Sequence, residues 1–413
     1  MPVSNHALRQ APALSMTAIA VALCLCGSAQ AEQDPYYIGV SQALSRDTNV
    51  LRSTNNEVGD TISSTGVLGG LDINPGRQHV FASANAAANR YQNQKQLNNT
   101  SYSLSTGLDW QTVEFLSGGL RYTANQNLGS YSPVNAPGLR DEQRTRQASA
   151  NIRWGIAKNL GLTAGASHRK ADYSVSSYNN FTEHSANVGV QWGGSGVLSF
   201  SVAARVSKGD TPLYQPVLPN LIPGLPPQLG SVEPDKSNRH DVDFTVGWTP
   251  SDVTKLSVRL SSTNDKHTAP SRGNFSGVTG AADVTYKPTG RTSLHASVMR
   301  ETGNDAQFYS LVQLGLPGTL NVQNNRVSWI TALDATYELT GKISLGGNLR
   351  SSIGSLDTSG HGSTYDTTLN HIMFTANYLA TRAITVGCNV GHDWTDGNYR
   401  DTTFGCSAQF VFR

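Results

Sequence analysis

Leu198-Ser199-Phe200-Ser201-Val202-Ala203-Ala204-Arg205-Val206 is the stretch that decides the fold. Leu198, Phe200, Val202, Ala204 and Val206 share one parity; Ser199, Ser201, Ala203 and Arg205 share the other. Successive side chains of a strand point to opposite faces, so this segment predicts a strand with one apolar and one mostly polar face. The pattern recurs on both sides. Between Val327 and Leu339 one parity carries Val327, Trp329, Leu333, Ala335, Tyr337 and Leu339; the other carries Ser328, Asp334, Thr336 and Glu338. Between Phe404 and Phe412 one parity is Phe404, Cys406, Ala408, Phe410 and Phe412. About 18 such runs (16–18) fill the chain, near 36–46, 61–74, 77–91, 99–111, 113–126, 143–156, 159–173, 181–193, 196–208, 238–249, 254–265, 274–287, 291–303, 324–339, 342–356, 364–379, 383–395 and 400–413.

The first residues point to export. Met1 to Gln10 is short and polar with Arg9 and no acid, and an apolar run follows from Ala13 to Cys26. It ends in Gly27-Ser28-Ala29-Gln30-Ala31, a small-x-small cleavage signal, so residues 1–31 read as a signal peptide and 32–413 as the folded unit. Cys24 and Cys26 each follow a leucine, which weakens a lipoprotein reading. No later stretch is a continuous apolar run of the ~18 residues that marks a membrane helix, and no helical periodicity is sustained. With 40 glycines in 413 residues and frequent Ser, Thr and Asn, the chain is polar overall yet strewn with alternating runs. A transmembrane barrel has this composition because only every second strand residue meets lipid. The formal charge of +2 gives no reason to expect nucleic acid.

The connections alternate in length. Asn74-Pro75-Gly76-Arg77, Gln111-Thr112-Val113, Ala157-Lys158-Asn159, Gly193-Gly194-Ser195-Gly196, Thr249-Pro250-Ser251-Asp252, Pro288-Thr289-Gly290, Thr340-Gly341 and Ala380-Thr381-Arg382 are short; the intervening ones are mostly longer, including 127–142, 209–237 and 304–323. Short turns on one rim and long loops on the other are the outer-membrane pattern, with the short side periplasmic. An even strand count then puts both ends of the barrel in the periplasm. Strands running toward the short turns end in an outward aromatic: Trp110, Trp154, Trp192, Trp248, Tyr286, Tyr337, Tyr378 and Phe412. Such rings favour the bilayer interface and predict a girdle there. The fold expected is therefore all-β, a transmembrane antiparallel up-and-down barrel. Strand edges find no water in hydrocarbon, so the run near Tyr36–Arg46 is expected to pair with Thr402–Arg413.

Asp34-Pro35-Tyr36-Tyr37-Ile38-Gly39-Val40-Ser41, followed by Arg46-Asp47-Thr48-Asn49-Val50-Leu51-Arg52, resembles the start of the mature EpsL-like outer-membrane proteins, β-barrel porins encoded with exopolysaccharide biosynthesis genes. Gly76-Arg77-Gln78, Asn89-Arg90-Tyr91, Leu97, Tyr102 and Trp110 look similar too. The resemblance implies a part in exporting or assembling a surface polysaccharide, with polysaccharide and export-complex proteins as partners besides outer-membrane lipids. A near-terminal Phe412 fits recognition by the barrel-assembly machinery, although Arg413 departs from the usual aromatic end.

By alternation the inward face includes Arg121, Arg153, Arg169, Arg205, Arg259 and Arg350 with Asp109, Asp243, Asp283 and Asp334. Two readings stand side by side. The charges and hydroxyls line a polar lumen that passes hydrated sugars, or the charges pair across the lumen and stabilise the wall. A structural or scaffolding barrel that conducts little is the rival to a channel. The segment from Lys208 to Ser237 holds seven prolines with Leu213, Val217, Leu218, Leu221, Ile222 and Leu225; it reads as a constriction in the barrel mouth or as a loose outer loop or partner contact. The 304–322 loop, with Phe308, Tyr309, Leu311, Val312 and Leu314, could share that role. Pairing by constant index sum places Cys388 opposite Cys406, either a cross-strand disulfide or two small wall residues. His168 and His392 on the outward parity leave a lipid hydrolase as a distant alternative. No Cys/His cluster has metal spacing, no phosphate loop or nucleophile elbow stands out, and no cofactor is expected. Asp396-Gly397-Asn398 reads as a hairpin turn, and Asn304-Asp305 with Asp357 as loop chemistry, not calcium ligands.

Overall fold

The alternating runs become strands because period-two patterning leaves each run with one apolar face and one polar face to hide from each other. The computed structural model describes residues 35–413 apart from 54–55, 113–114, 130–138, 158, 194–196, 219–227, 304–326, 358–363 and 396–399. The leader at 1–31, the 304–322 loop and the turn at 396–398 lie outside the described residues. The strands are β1 (Tyr36–Asp47), β2 (Asp60–Ile73), β3 (His79–Tyr91), β4 (Asn99–Gln111), β5 (Leu116–Leu128), β6 (Glu142–Ala157), β7 (Leu160–Tyr173), β8 (Phe181–Trp192), β9 (Leu198–Thr211), β10 (Val217–Leu218), β11 (Gln228–Leu229), β12 (Asp235–Ser251), β13 (Thr254–His267), β14 (Phe275–Thr289), β15 (Thr292–Glu301), β16 (Val327–Glu338), β17 (Ile343–Asp357), β18 (Thr364–Leu379), β19 (Ile384–Thr395) and β20 (Arg400–Phe412). Apart from the two-residue β10 and β11, which pair with each other, they form one 18-stranded sheet.

The sheet closes on itself. Sequence neighbours pair antiparallel, β9 pairs with β12, and β1 pairs with β20 from Ile38 opposite Phe412 to Asp47 opposite Thr403. Closure leaves no strand edge for the hydrocarbon layer to strand without a partner. Among the described residues no helix is long and apolar enough to cross a membrane. Ile38, Val188 and Val278 are 66, 61 and 58 % exposed, while Asp241 and Glu301 are 3 and 1 % exposed. Apolar side chains stand outside and charge is tucked inside, the inverse of a water-soluble fold and the arrangement a lipid solvent requires.

Each strand is staggered against the next by about one residue, which tilts the strands and sets the barrel's girth. The girdle shows it. Trp110 lies opposite Gly118, and Gly118 opposite Ile152, yet the girdle residue of β6 is Trp154, two places further on. At the short-turn rim Gly76 and Gly193 have φ of 68° and 84°, the left-handed geometry a tight turn needs and glycine adopts without steric cost.

The strands of the β9–β12 pair run longer than their apolar alternation predicts. β9 continues to Thr211 and β12 starts at Asp235, with Lys208 opposite Asn238 and Asp210 opposite Lys236. These rungs are polar on both faces, so hydrophobic periodicity cannot detect them, but backbone bonding carries the ladder on. Beyond them, β10 and β11 pair inside the proline-rich segment at Val217–Leu229 and Leu218–Gln228.

Candidate functional site

The inner wall is the candidate site, and its charges are organised in groups. On β4 and β5, Arg121 donates through Nη2 to both carboxylate oxygens of Asp109 at 2.6 and 2.7 Å. The guanidinium lies 4.6 Å from the Phe81 ring centre. Gly107 makes room: a Cβ there would run into the Phe81 ring and the Arg121 stem. His79 extends the group, with Nδ1 3.5 Å from Asp109 and Nε2 3.0 Å from Asp72.

A larger network spans β9 to β15. Arg205 contacts Asp241 at 3.3 Å and Asp243 at 3.0 Å. Arg239 contacts Asp241 at 2.9 Å and reaches Glu301, three strands away, at 3.0 Å. It can lie flat along the wall because the intervening positions are the threonines Thr263 and Thr279, whose hydroxyls are 2.7 Å apart. Arg259 bonds Glu301 and sits 3.7 Å from Asp243. Thr263 donates to Asp241 at 2.6 Å, and Ser261 donates to Asp243. Three guanidinium groups therefore face three carboxylates. Removing such charges from water is costly unless each is paired and hydrogen-bonded, and here each is.

The remaining candidates are also held by neighbours. Arg350 bonds Asp334 at 2.9 Å, and His295 stands 3.9 Å from both Asp334 and Asp283. Arg169 pairs with Glu183 on the next strand, and Arg153 donates to the Gln191 amide oxygen at 3.1 Å. The pairs run along the wall between strands close together, not across the lumen as the pairing alternative supposed. Short side chains between partners allow this. Arg239, Asp241, Glu183 and Glu301 were not singled out from the sequence. For the first two the signal was there, since Arg239-His240-Asp241-Val242-Asp243 alternates in phase with Asp243.

On the outside, Trp154, Trp192, Trp248, Tyr286, Tyr337, Tyr378 and Phe412 are exposed. Trp110 is half-buried because its indole folds over Gly118, where a Cβ would strike the ring. Cys388 and Cys406 face each other in register and are joined by a disulfide, with Cα atoms 4.0 Å apart. His168 Nδ1 lies 3.2 Å from His184 Nδ1, and His392 Nδ1 lies 2.9 Å from the Thr402 hydroxyl. Among the described residues no group of three or more His, Cys, Asp or Glu could hold a metal.

At the long-loop rim, Tyr214 is fully buried 5.2 Å beneath the Arg272 guanidinium, and burial pushes its phenol above the usual range. Arg272 bonds Asp235 at 3.0 Å, which ties the base of the proline-rich loop to the β13–β14 connection. Residues 219–227, the centre of the supposed constriction, are outside the described set.

Comparison with known proteins gives one family. The family model described as outer membrane beta-barrel porin, MtrB/PioB, matches residues 80–405, from β3 to β20. That match begins beyond the opening segment that resembles the EpsL-like proteins, and the coarser class, an outer-membrane barrel porin, is common to both. Among solved structures, the outer membrane protein opdK from Pseudomonas aeruginosa aligns with a TM-score of 0.43 at 11% identity over 91% of this chain and 98% of that one. P. aeruginosa OccK2 (OpdF) aligns with a TM-score of 0.46 at 8% identity over 93% and 99%, and P. aeruginosa OpdO with 0.45 at 10% over 91% and 96%. No curated protein matches. The family match covers well over half of the chain, and it agrees with a closed 18-stranded barrel that is apolar outside and charged inside. The chain belongs to the MtrB/PioB family of outer membrane beta-barrel porins.

Proposed function

We propose that this porin passes a hydrated polysaccharide through the outer membrane and serves exopolysaccharide export. The observation that carries the reading is the neutralised inner wall. Arg121, Arg169, Arg205, Arg259 and Arg350 are each held by a carboxylate. A wall of that kind repels neither a neutral nor a weakly charged glycan. Between the pairs stand hydroxyls and amides such as Ser103, Asn85, Ser149 and Asn187, which exchange hydrogen bonds with sugar hydroxyls and water. The opening segment's resemblance to EpsL-like barrels supports the same role. The leader would be cleaved after Ala31, and the strand ending in Phe412 would be read by the barrel-assembly machinery.

Two measurements test the reading. Deletion of the gene should abolish surface polysaccharide while intracellular synthesis continues. The purified barrel in planar bilayers should carry an ohmic current that neutral oligosaccharides reduce in proportion to their size. Unchanged secretion in the deletion strain would sink the export role. The near-complete burial of Arg239, Asp241 and Glu301 favours a second reading, a scaffold for export proteins that conducts little. A closed conductance trace beside lost secretion would select it.

A further inference from the structure

The outer face carries a cluster of basic side chains, separate from the lumen. On each strand running toward the short turns, the outward residue eight places before the girdle aromatic lies about 26 Å away along the strand. At a tilt of ~40° that is roughly 20 Å along the membrane normal, close to the far edge of a ~25 Å apolar band. These residues are Tyr102, Arg146, His184, His240, Val278, Trp329, Asn370 and Phe404. Aromatics fill three of the positions, as an upper girdle would. Val278 and Asn370 are neither aromatic nor basic, whereas β6, β8 and β12, successive strands of this set, carry the basic residues Arg146, His184 and His240. The strands between them add His168 and Lys170 on β7 and Lys208 on β9, all of outward parity.

Five of these side chains, Arg146, Lys170, His168, His184 and Lys208, are neighbours in register. Ala148, His168, His184 and Lys208 lie on one cross-strand line, and Arg146 is paired in register with Lys170 on the next. The imidazoles of His168 and His184 have centres 4.5 Å apart. Arg146 and Lys208 are exposed, and neither has an ion-pair partner among the described residues; Lys170 meets Asp172 at 2.9 Å. A cation aimed at hydrocarbon would be costly, but at the headgroup level it meets lipid phosphates. On the membrane side of the patch, the wall is shallow. Ala148, Ala150 and Ala166, with Leu120 and Tyr122 beside them and Val80, Thr106 and Leu108 beyond, line an open, shallow trough that ends at His168 and His184. Short side chains there leave a groove for acyl chains.

We propose that Arg146, Lys170 and Lys208, with His168 and His184, bind the phosphates of an acylated, phosphorylated lipid of the outer leaflet, whose chains lie in the alanine trough. Arginine and lysine suit phosphate through charge-assisted hydrogen bonds, and the trough distinguishes a lipid from free phosphate.

The test uses the full chain purified in mild detergent, with bound lipid read by native mass spectrometry. The probes are bisphosphorylated lipid A, its monophosphoryl and dephosphorylated forms, and inorganic phosphate. Bisphosphorylated lipid A should bind about tenfold or more tightly than the dephosphorylated form. R146Q/K170Q/K208Q should weaken it by a similar factor, whereas K255Q/K287Q/R291Q near the short-turn rim should stay within about twofold. Inorganic phosphate in millimolar excess should not displace the lipid. Equal binding of the phosphorylated and dephosphorylated forms, displacement by inorganic phosphate, or an unaffected R146Q/K170Q/K208Q variant would each overturn the proposal. The comparison of lipids on the unaltered protein needs no variant to fold.

Discussion

Thr48 and Thr402, 354 residues apart in sequence, hydrogen-bond to each other twice. The Thr48 amide donates to the Thr402 carbonyl at 3.1 Å, and the Thr402 amide donates to the Thr48 hydroxyl at 2.8 Å. Beside them the Asp401 carboxylate accepts from the Thr48 hydroxyl at 3.1 Å and the Asn49 amide at 3.0 Å, and Arg52 stands 3.0 Å away. The outer end of the β1–β20 seam is thus fastened by side chains as well as by the ladder.

Asp401→Ala should loosen that seam. Two donors lose an acceptor and the half-buried Arg52 keeps Asp47, at a cost of about 1–3 kcal/mol. The urea midpoint of the barrel in lipid vesicles, followed by the mobility difference between folded and heated protein on gels, should fall accordingly. An unchanged midpoint would show that the backbone ladder alone holds the seam.

Glu301→Gln should shift ion selectivity toward anions. Glu301 balances both Arg239 and Arg259, so its loss leaves the wall network with one excess positive charge. The reversal potential across a salt gradient in planar bilayers should move in the anion direction, with a permeability ratio changed by about twofold or more. Glu338→Gln, on an exposed residue at the short-turn rim, should leave it unmoved.

Reduction of the Cys388–Cys406 disulfide should lower stability without opening the barrel. The bond closes a segment of 18 residues on a hairpin whose strands are already paired. Loop-closure entropy puts the ceiling at about 3 kcal/mol. The vesicle urea midpoint with and without reductant should differ by no more than that, and C388S/C406S should match the reduced protein.

Trp154, Trp192 and Trp248 should report the periplasmic interface. Variants retaining one of these indoles, with the other tryptophans changed to phenylalanine, should be quenched more by lipids carrying a nitroxide near the headgroup than by lipids labelled at the chain end. The reverse order would place the girdle in the bilayer centre.

The fold was legible in the sequence because a lipid-facing strand obeys two constraints at once, apolar on alternate residues and interrupted by turns. Runs such as 99–111 and 364–379 coincide with β4 and β18 to the residue. Where apolar alternation stops, legibility stops too: Asp210 and Lys236 extend the β9–β12 ladder with polar rungs that no hydropathy pattern announces. The site was legible in part. Parity placed Arg205 and Asp243 on one face, but parity cannot say which carboxylate a guanidinium will meet. That Arg239 reaches Glu301 depends on the small residues at 263 and 279, a matter of three-dimensional shape and not of spacing.

The pairing of Ile38 with Phe412 also governs how the barrel comes into being. Contacts between residues so distant in sequence are slow to form, because the entropy of closing the chain is lost before the contact returns anything. A partly assembled sheet carries two unsatisfied edges, each a template for aggregation. The sheet therefore keeps both exposed edges until β1 and β20 meet.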